Sequence, residues 1–402
     1  MLNAPTRDFR PAYSRFIENQ KARGGLHFAA HSHHFWPDCT REAQLRYWDD
    51  SARAVDSKWG ELFEGALAEA RGNVAGLLGL RSPSTIALAP NTHEFVLRLL
   101  SCIERRSDGA PIRVVTTDSE FHSFSRQARR LEEAGEAVVT RVAVFPVETF
   151  AGRFLEACRE GRPELVFLSH VFFNSGWVVP ALGAFAREIA SATSSDALIA
   201  VDGYHAFCAL PIDLNPCQER VFYIGGGYKY AQAGEGACFL HVPAGSTLRP
   251  RNTGWWADFA GLEGAPGPRV DYATDATRFA GSTFDPSGWY RFNSVMRWWK
   301  AAGVTPAEVH AHVLALQERF LRGLEEIASR GGSPLLRPED LLLRPEQGVG
   351  HFLCFRSADA ASSCRTLASR GVTVDSRREI VRIGFGLYHS TEEVDALLER
   401  LA

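Results

Sequence analysis

The chain lacks any stretch approaching the roughly 18 consecutive apolar residues of a membrane-spanning helix, and its opening residues, MLNAPTRD, lack a basic segment followed by an apolar core. Neither a spanning segment nor a secretion signal is therefore expected, and the cytoplasm is the expected address. A basic surplus is absent too: 44 Lys and Arg against 47 Asp and Glu leave a formal net charge of -3, which gives no electrostatic pull toward nucleic acid or anionic membranes. Eight cysteines (Cys39, Cys102, Cys158, Cys208, Cys217, Cys238, Cys354, Cys364) contain no Cys-x-x-Cys pair, so reduced, buried thiols are expected in place of disulfides or zinc ligands. The glycine run 225–227 lacks the spacing of a P-loop, and no internal repeat or low-complexity tract interrupts the chain.

What is present is an ordinary globular composition, 45% hydrophobic and 23% charged, in 402 residues. That length exceeds what one core usually organises, so two domains are expected. Short apolar runs at 85–89, 113–116, 165–169, 198–201 and 221–224 alternate with helical patterns from Thr92 to about Arg105, through Arg126 to Glu133 and over 184–190. This alternation predicts an α/β fold, a mostly parallel sheet with helices on both faces, in which ligands gather beyond the carboxyl ends of the strands. Asn91, Phe121, Asn174, Asp202 and Lys229 all follow such ends. After Trp289 the texture changes: a helical pattern over 306–330, a strand at 350–355, a helix at 358–370, strands at 371–374 and 380–384, and a last helix from Thr391 predict a smaller C-terminal α/β domain. The expected division is an N-terminal arm over 1–55 packing with the small domain, a large domain over 56–295, and the small domain over 296–402.

Residues 222–230, FYIGGGYKY, place Lys229 after a glycine-rich strand end, and residues 201–205, VDGYH, place Asp202 at the tip of the preceding apolar strand. An amine for a Schiff base and a carboxylate for a pyridine nitrogen are the groups needed to hold pyridoxal phosphate. A lone lysine is otherwise a solvated surface group. Asp202 shifts the balance, because an acid ending an apolar run is costly unless a cation meets it; read alone, it is a cap or an ion pair. His205 is a candidate for proton transfer beside the ring, or else a hydrogen-bonded core histidine. Asn91 and Thr92 open a helix whose free amides suit a phosphate, and either also serves as a simple cap.

Phe121 offers a face for stacking, and Asn174 a donor to the cofactor's phenolic oxygen; a core ring and a turn residue are the alternatives. Arg382, inside the apolar run IVRIG at 380–384, is the candidate receiver of a substrate carboxylate, with Arg377 second. His31, His33 and His34 with His27 do not match the His-Glu-x-x-His spacing, so no metal is expected and the segment reads as a loop bordering the site.

Residues 201–206 (VDGYHA), 211–213 (PID), 227–230 (GYKY) and 234–237 (GEGA) resemble the class V aminotransferase group of fold-type I pyridoxal-phosphate enzymes, and within it kynureninase. The similarity runs from about residue 27 to the end of the chain. It implies Lys229 as the Schiff-base lysine, Asp202 on the pyridine nitrogen, His205 beside the ring, Phe121 stacked on it, and Thr92 and His93 at the phosphate. Tyr228 is implied at the phosphate and as a proton carrier, and Trp255, in the GWW segment at 254–256, at the phosphate or substrate. Ser282 and Thr283 stand where kynureninase has a Ser-Asn-Pro-Pro run and are taken as cofactor contacts. His33, in a segment that departs from the family's turn, is taken as a substrate contact, and Arg382 matches the carboxylate arginine.

Asn174 matches transaminase and desulfurase members better. A desulfurase needs a cysteine shortly before that arginine, and residues 374–381 contain none. The resemblance implies a homodimer with shared sites acting on a small amino acid. The expected activity is hydrolytic Cβ–Cγ cleavage of kynurenine or a related β-acyl amino acid. Transamination is the alternative, and a non-catalytic cofactor-binding protein a remoter one.

Overall fold

The computed structural model describes residues 7–104, 108–262, 264 and 267–402; the expected helix end at Arg105 and the first six residues of the arm lie outside them. Among the described residues twelve strands follow in chain order: β1 (Leu26–His27), β2 (Ile86–Ala89), β3 (Ile112–Thr117), β4 (Ala137–Val142), β5 (Leu165–Ser169), β6 (Leu198–Asp202), β7 (Val221–Gly226), β8 (Cys238–His241), β9 (Phe352–Arg356), β10 (Val372–Thr373), β11 (Asp375–Arg377) and β12 (Ile380–Gly384). β2, β5, β7 and β8 are buried at every residue, the pattern of strands covered on both faces. They join β3, β4 and β6 in a seven-stranded sheet of order β2-β8-β7-β6-β5-β3-β4, parallel except for β8, which is antiparallel to both neighbours.

Alternation along each strand sends its side chains to opposite faces. Val115, Val166, Leu168, Ile199, Val201 and Tyr223 enter one core with helices Ala66–Leu77, Phe150–Gly161, Leu182–Ala192 and Ser287–Ala302. Val114, Phe167, Ala200, Phe222 and Ile224 face the other side, under helices Thr92–Cys102 and His122–Glu133. The expected α/β layering is thus present, with a smaller antiparallel sheet β11-β12-β9 toward the C-terminus. Among the described residues no helix is long and apolar enough to cross a membrane.

Helix Ser287–Ala302 runs through positions 295 and 296 and buries Trp289, Phe292, Val295 and Trp299. Helix Pro306–Ser329 follows, started by Thr305, whose side chain accepts from the Glu308 amide, and by Pro306 in its first turn. The arm reaches both regions. β1 pairs in parallel with β10 and Ala29 bridges Gly384, while helix Cys39–Ala54 lies against helix Ser287–Ala302. The Phe9 ring meets His312 edge-on at 5.6 Å, and Tyr13 meets Tyr388 at 5.6 Å. All eight cysteines are free thiols, five of them buried.

Candidate active site

Lys229 stands just beyond the end of β7, on a loop pinned at its neck by the Gly227 amide donating to the Ala237 carbonyl at 2.7 Å. Glycine is required at the strand end: a Cβ on Gly226 would come within 2.5 Å of Cys238 Sγ and 2.8 Å of the Tyr204 hydroxyl. The loop turns the lysine inward. Its Nζ lies 2.5 Å from His205 Nε2, 5.6 Å from the centre of the Phe121 ring and 5.8 Å from that of Tyr204. Burial, followed by the charge of Arg382, pushes the amine down to about 7 against the opposing pull of Asp202 and Asp375. Burial, then Lys229 and Arg382, pushes the His205 imidazole well below its ordinary value, so it is neutral.

Asp202 ends β6 and accepts the Tyr204 amide at 2.9 Å. Burial raises its carboxyl, against that amide and the Lys229 amine. Next along the sheet edge, Asn174 Nδ2 donates to Ser119 Oγ at 3.0 Å, and its Oδ1 is buried without a partner. Phe121 is 38% exposed, with Phe173 edge-on to it at 5.6 Å. Behind it, Glu120 is buried; Thr117 Oγ1 and Ser169 Oγ each donate to it at 2.6 Å, and burial pushes its carboxyl up to about 8.

Arg382 lies on β12 directly opposite Asp375 on β11. Its Nε donates to Asp375 Oδ1 at 2.8 Å, its Nη2 to Asp375 Oδ2, and its Nη1 to the Phe173 carbonyl at 2.7 Å. Arg377 reaches the same carboxylate oxygen as Arg382 Nη2, its own Nη2 lying 3.6 Å from Asp375 Oδ2. Against the upward push of burial, His31 and Arg382 hold the Asp375 carboxyl far below the usual range.

The remaining sequence candidates occupy two further groups. Tyr228 Oη lies 3.1 Å from His33 Nδ1, linking the lysine loop to the arm. Asn91 caps helix Thr92–Cys102 by accepting the Glu94 amide at 3.0 Å, Thr92 is half-buried, and His93 Nδ1 is buried without a partner. Trp255 Nε1 donates to Thr283 Oγ1 at 3.1 Å, and Ser282 and Thr283 are exposed. Arg98 joins this helix to that loop: buried on Gly281 and paired with Glu94 at 2.6 Å, it keeps Nε and Nη1 unbonded. No hydrogen bond among the described residues ties either segment to Lys229.

Each arm histidine is separately engaged: His27 with the Tyr388 hydroxyl at 2.7 Å, His31 with Asp375 at 2.8 Å, and His34 with the Phe35 carbonyl at 2.6 Å. Among the described residues no group of three or more His, Cys, Asp or Glu is placed to hold a metal. The sequence reading did not reach Asp375, Tyr204, Ser119, Glu120 or Arg98. Only Arg98 left a usable signal, a charge among Phe95, Val96 and Leu99.

Residues 35–334 match aminotransferase class-V, about three quarters of the chain. The chain belongs to the aminotransferase class-V family. It is therefore an enzyme of a pyridoxal 5′-phosphate (PLP) dependent family, and PLP is its cofactor. It is 27% identical over 365 residues to isopenicillin N epimerase of Streptomyces clavuligerus, covering 83% of each chain. It is 21% identical over 375 residues to a probable cysteine desulfurase of Vibrio cholerae serotype O1, covering 90% of this chain and 89% of that one.

Among solved structures, a C-DES mutant with glycine covalently linked to its PLP cofactor superposes with a TM-score of 0.79 at 18% identity, over 98% of this chain and 99% of the other. The apo cysteine desulfurase from Thermococcus onnurineus NA1 gives 0.78 at 17% identity, over 99% and 98%. These structures establish the fold. The named relatives are epimerases and a desulfurase, so the class-V likeness stands and its narrowing to kynureninase finds no support.

The residues of the class-V chain fit the cofactor. Lys229 is a half-buried lysine with no carboxylate at ion-pair distance among the described residues, and Asn174 Oδ1 is an orphaned buried acceptor at the same sheet edge. Both are costly unless a ligand completes them.

Proposed function

We propose that the protein epimerises an amino acid by moving the proton at its α-carbon, with PLP held on Lys229. When bound, PLP supplies an aldehyde that condenses with an amine and a ring that disperses negative charge from the adjacent carbon. Asp202 is assigned to the ring nitrogen, Phe121 to the ring face, Asn174 and His205 to its polar edge. The phosphate falls to Thr92, His93 and the amides opening helix Thr92–Cys102, where the helix dipole favours an anion. Arg382 receives the substrate carboxylate, with Arg377 and His33 at the rim. Trp255, Ser282 and Thr283 close the phosphate end. In a homodimer, which this reading includes, the exposed 282–283 loop serves the partner's site, and light scattering of the purified protein should give twice the chain mass.

The observation that carries this reading is the placement of the Lys229 amine 2.5 Å from His205 Nε2 at the sheet edge, where burial pushes the amine down to about 7. Near neutral pH such an amine takes a proton as readily as it returns one. Epimerisation needs two proton carriers, and we assign the second to Tyr228, whose hydroxyl bonds His33. The sequence relationship to an epimerase over 83% of the chain favours this outcome. Sulfur transfer is disfavoured, because residues 374–381 contain no cysteine and, of the thiols beside Arg382, burial pushes Cys354 up to about 12 and raises Cys364.

The test is a panel of L-amino acids and peptidyl amino acids, with cysteine and kynurenine included, incubated with holoenzyme in deuterated water. Chiral chromatography and mass analysis should find deuterium at the α-carbon together with the inverted isomer. Lys229→Ala should abolish exchange, and Tyr228→Phe should slow inversion more than exchange. A keto acid without inversion would assign transamination instead, and anthranilate from kynurenine would restore hydrolytic cleavage.

A further inference from the structure

We propose that Asp375, itself held by His31, is the positioning residue for Arg382: it occupies one edge of the guanidinium and leaves the other for the substrate α-carboxylate. This inference rests on the reading of Arg382 given above. An arginine offers five N–H groups and two parallel-donor edges. Asp375 takes the edge formed by Nε and Nη2, and the Phe173 carbonyl takes one proton of Nη1. The edge shared by Nη1 and Nη2 is the one Asp375 leaves open.

The aspartate is fixed in turn. Register places it opposite Arg382 across β11 and β12, and His31 Nε2 donates to its Oδ1 at 2.8 Å. The His31 ring is fully buried and stacks on Phe352 at 4.7 Å, and the Arg382 guanidinium lies 5.8 Å from the same ring. One aromatic ring thus supports both the clamp and the group it clamps. Charge is arranged to match: Arg382 and Arg377 both approach Asp375 Oδ2, so two cations meet one anion and one positive charge remains for an incoming carboxylate. An arginine side chain that is 3% exposed and loses this brace would leave its orientation to chance, and a misaimed guanidinium is a poor carboxylate receiver.

Glycine, the smallest α-amino acid, is the probe, titrated into holoenzyme while the visible absorption of the cofactor is followed. Asp375→Asn keeps the size of the side chain, and Asp375→Ala removes it. Both should load PLP as wild type does and raise the apparent Kd for glycine about tenfold or more, the scale of lost hydrogen bonds to a charged group. His31→Gln, which keeps a donor to Asp375, should retain glycine affinity that His31→Ala loses. Arg382→Ala is the reference. If it loses glycine binding while both Asp375 variants keep it, the positioning role is overturned. Equal loss of PLP and glycine in the Asp375 variants also overturns it, since that is what a general structural defect produces. If Arg382→Ala itself binds glycine normally, the carboxylate assignment fails, and this inference with it.

Discussion

Acid should release this protein's arm before it unfolds most buried carboxylate networks. Burial drives His27 to about 3, His31 to about 4 and His34 to about 3; at His31 the charge of Arg382 adds to the effect and Asp375 opposes it. All three must be neutral in the folded chain. An unfolded histidine binds its proton near 6.5, so the folded state takes up fewer protons as pH falls. The associated stability is fully present above about 6.5 and is lost progressively as pH drops toward the folded values. Between pH 7 and pH 5 each such histidine gives up about 2 kcal/mol, and the three together about 6 kcal/mol, a large part of the 5–15 kcal/mol that usually holds a domain.

His170, His241, His312 and His389 are pushed down in the same direction and add to the loss, while Glu120, pushed up to about 8, opposes it over the same interval. Urea unfolding followed by tryptophan fluorescence at pH 7 and pH 5 measures the loss directly. His34→Gln, which removes one titrating group, should flatten the pH dependence by about 2 kcal/mol over the same interval. A urea midpoint that holds constant from pH 7 to pH 5 would refute the reasoning.

Lys229→Ala should abolish the visible absorption of the holoenzyme and the mass adduct trapped by borohydride; an unchanged spectrum would remove the basis of the cofactor assignment. The rate at which apo protein takes up PLP should rise about tenfold per pH unit below 7 and level off above it, since only the unprotonated Lys229 amine attacks an aldehyde. A flat profile across pH 6–8 would mean that the amine is not depressed. Gly384→Ala would place a methyl group 2.0 Å from Nδ1 of the fully buried His31, and thermal melting should register a loss of about 1–3 kcal/mol. Wild-type melting would show that the arm has room to shift.

How much of this was visible beforehand depended on how locally each feature is encoded. The runs 165–169 and 380–384 gave β5 and β12 to the residue, because a continuous apolar run bounded by polar or glycine-rich segments has few other uses. β4 was missed: on the sheet edge it alternates irregularly and exposes Val138. β8 was missed because four residues between a glycine-rich turn and Pro243 carry too little period to recognise. β11 is polar throughout and becomes a strand only by pairing with β12. Helix Cys39–Ala54 exposes Leu45 and Trp48, so its apolar positions form no single inward stripe.

The same contrast governs the site. Asp202 announces itself by ending an apolar strand, and Lys229 by following a glycine-rich strand end. The tie between Asp375 and Arg382 exists only through strand register, and that between Glu120 and Ser169 spans 49 positions, so neither leaves a local trace. At the phosphate end Asn91 and Thr92 were legible as a helix start, the roles of His93, Trp255, Ser282 and Thr283 came from resemblance, and among the described residues no hydrogen bond ties Ser282 or Thr283 to Lys229.

The arm carries a consequence for how the molecule is made. β1 finds its partner in β10, and Phe28 and Ala29 find theirs around Thr373 and Gly384, about 350 positions later. Contacts of such long sequence separation form late, because the intervening loop must close first. His31 and His33 ride on that segment, so during synthesis the pocket stays unfinished until nearly the whole polypeptide has left the ribosome. A nascent chain stalled before residue 372 should carry a folded Lys229 region and no working enzyme.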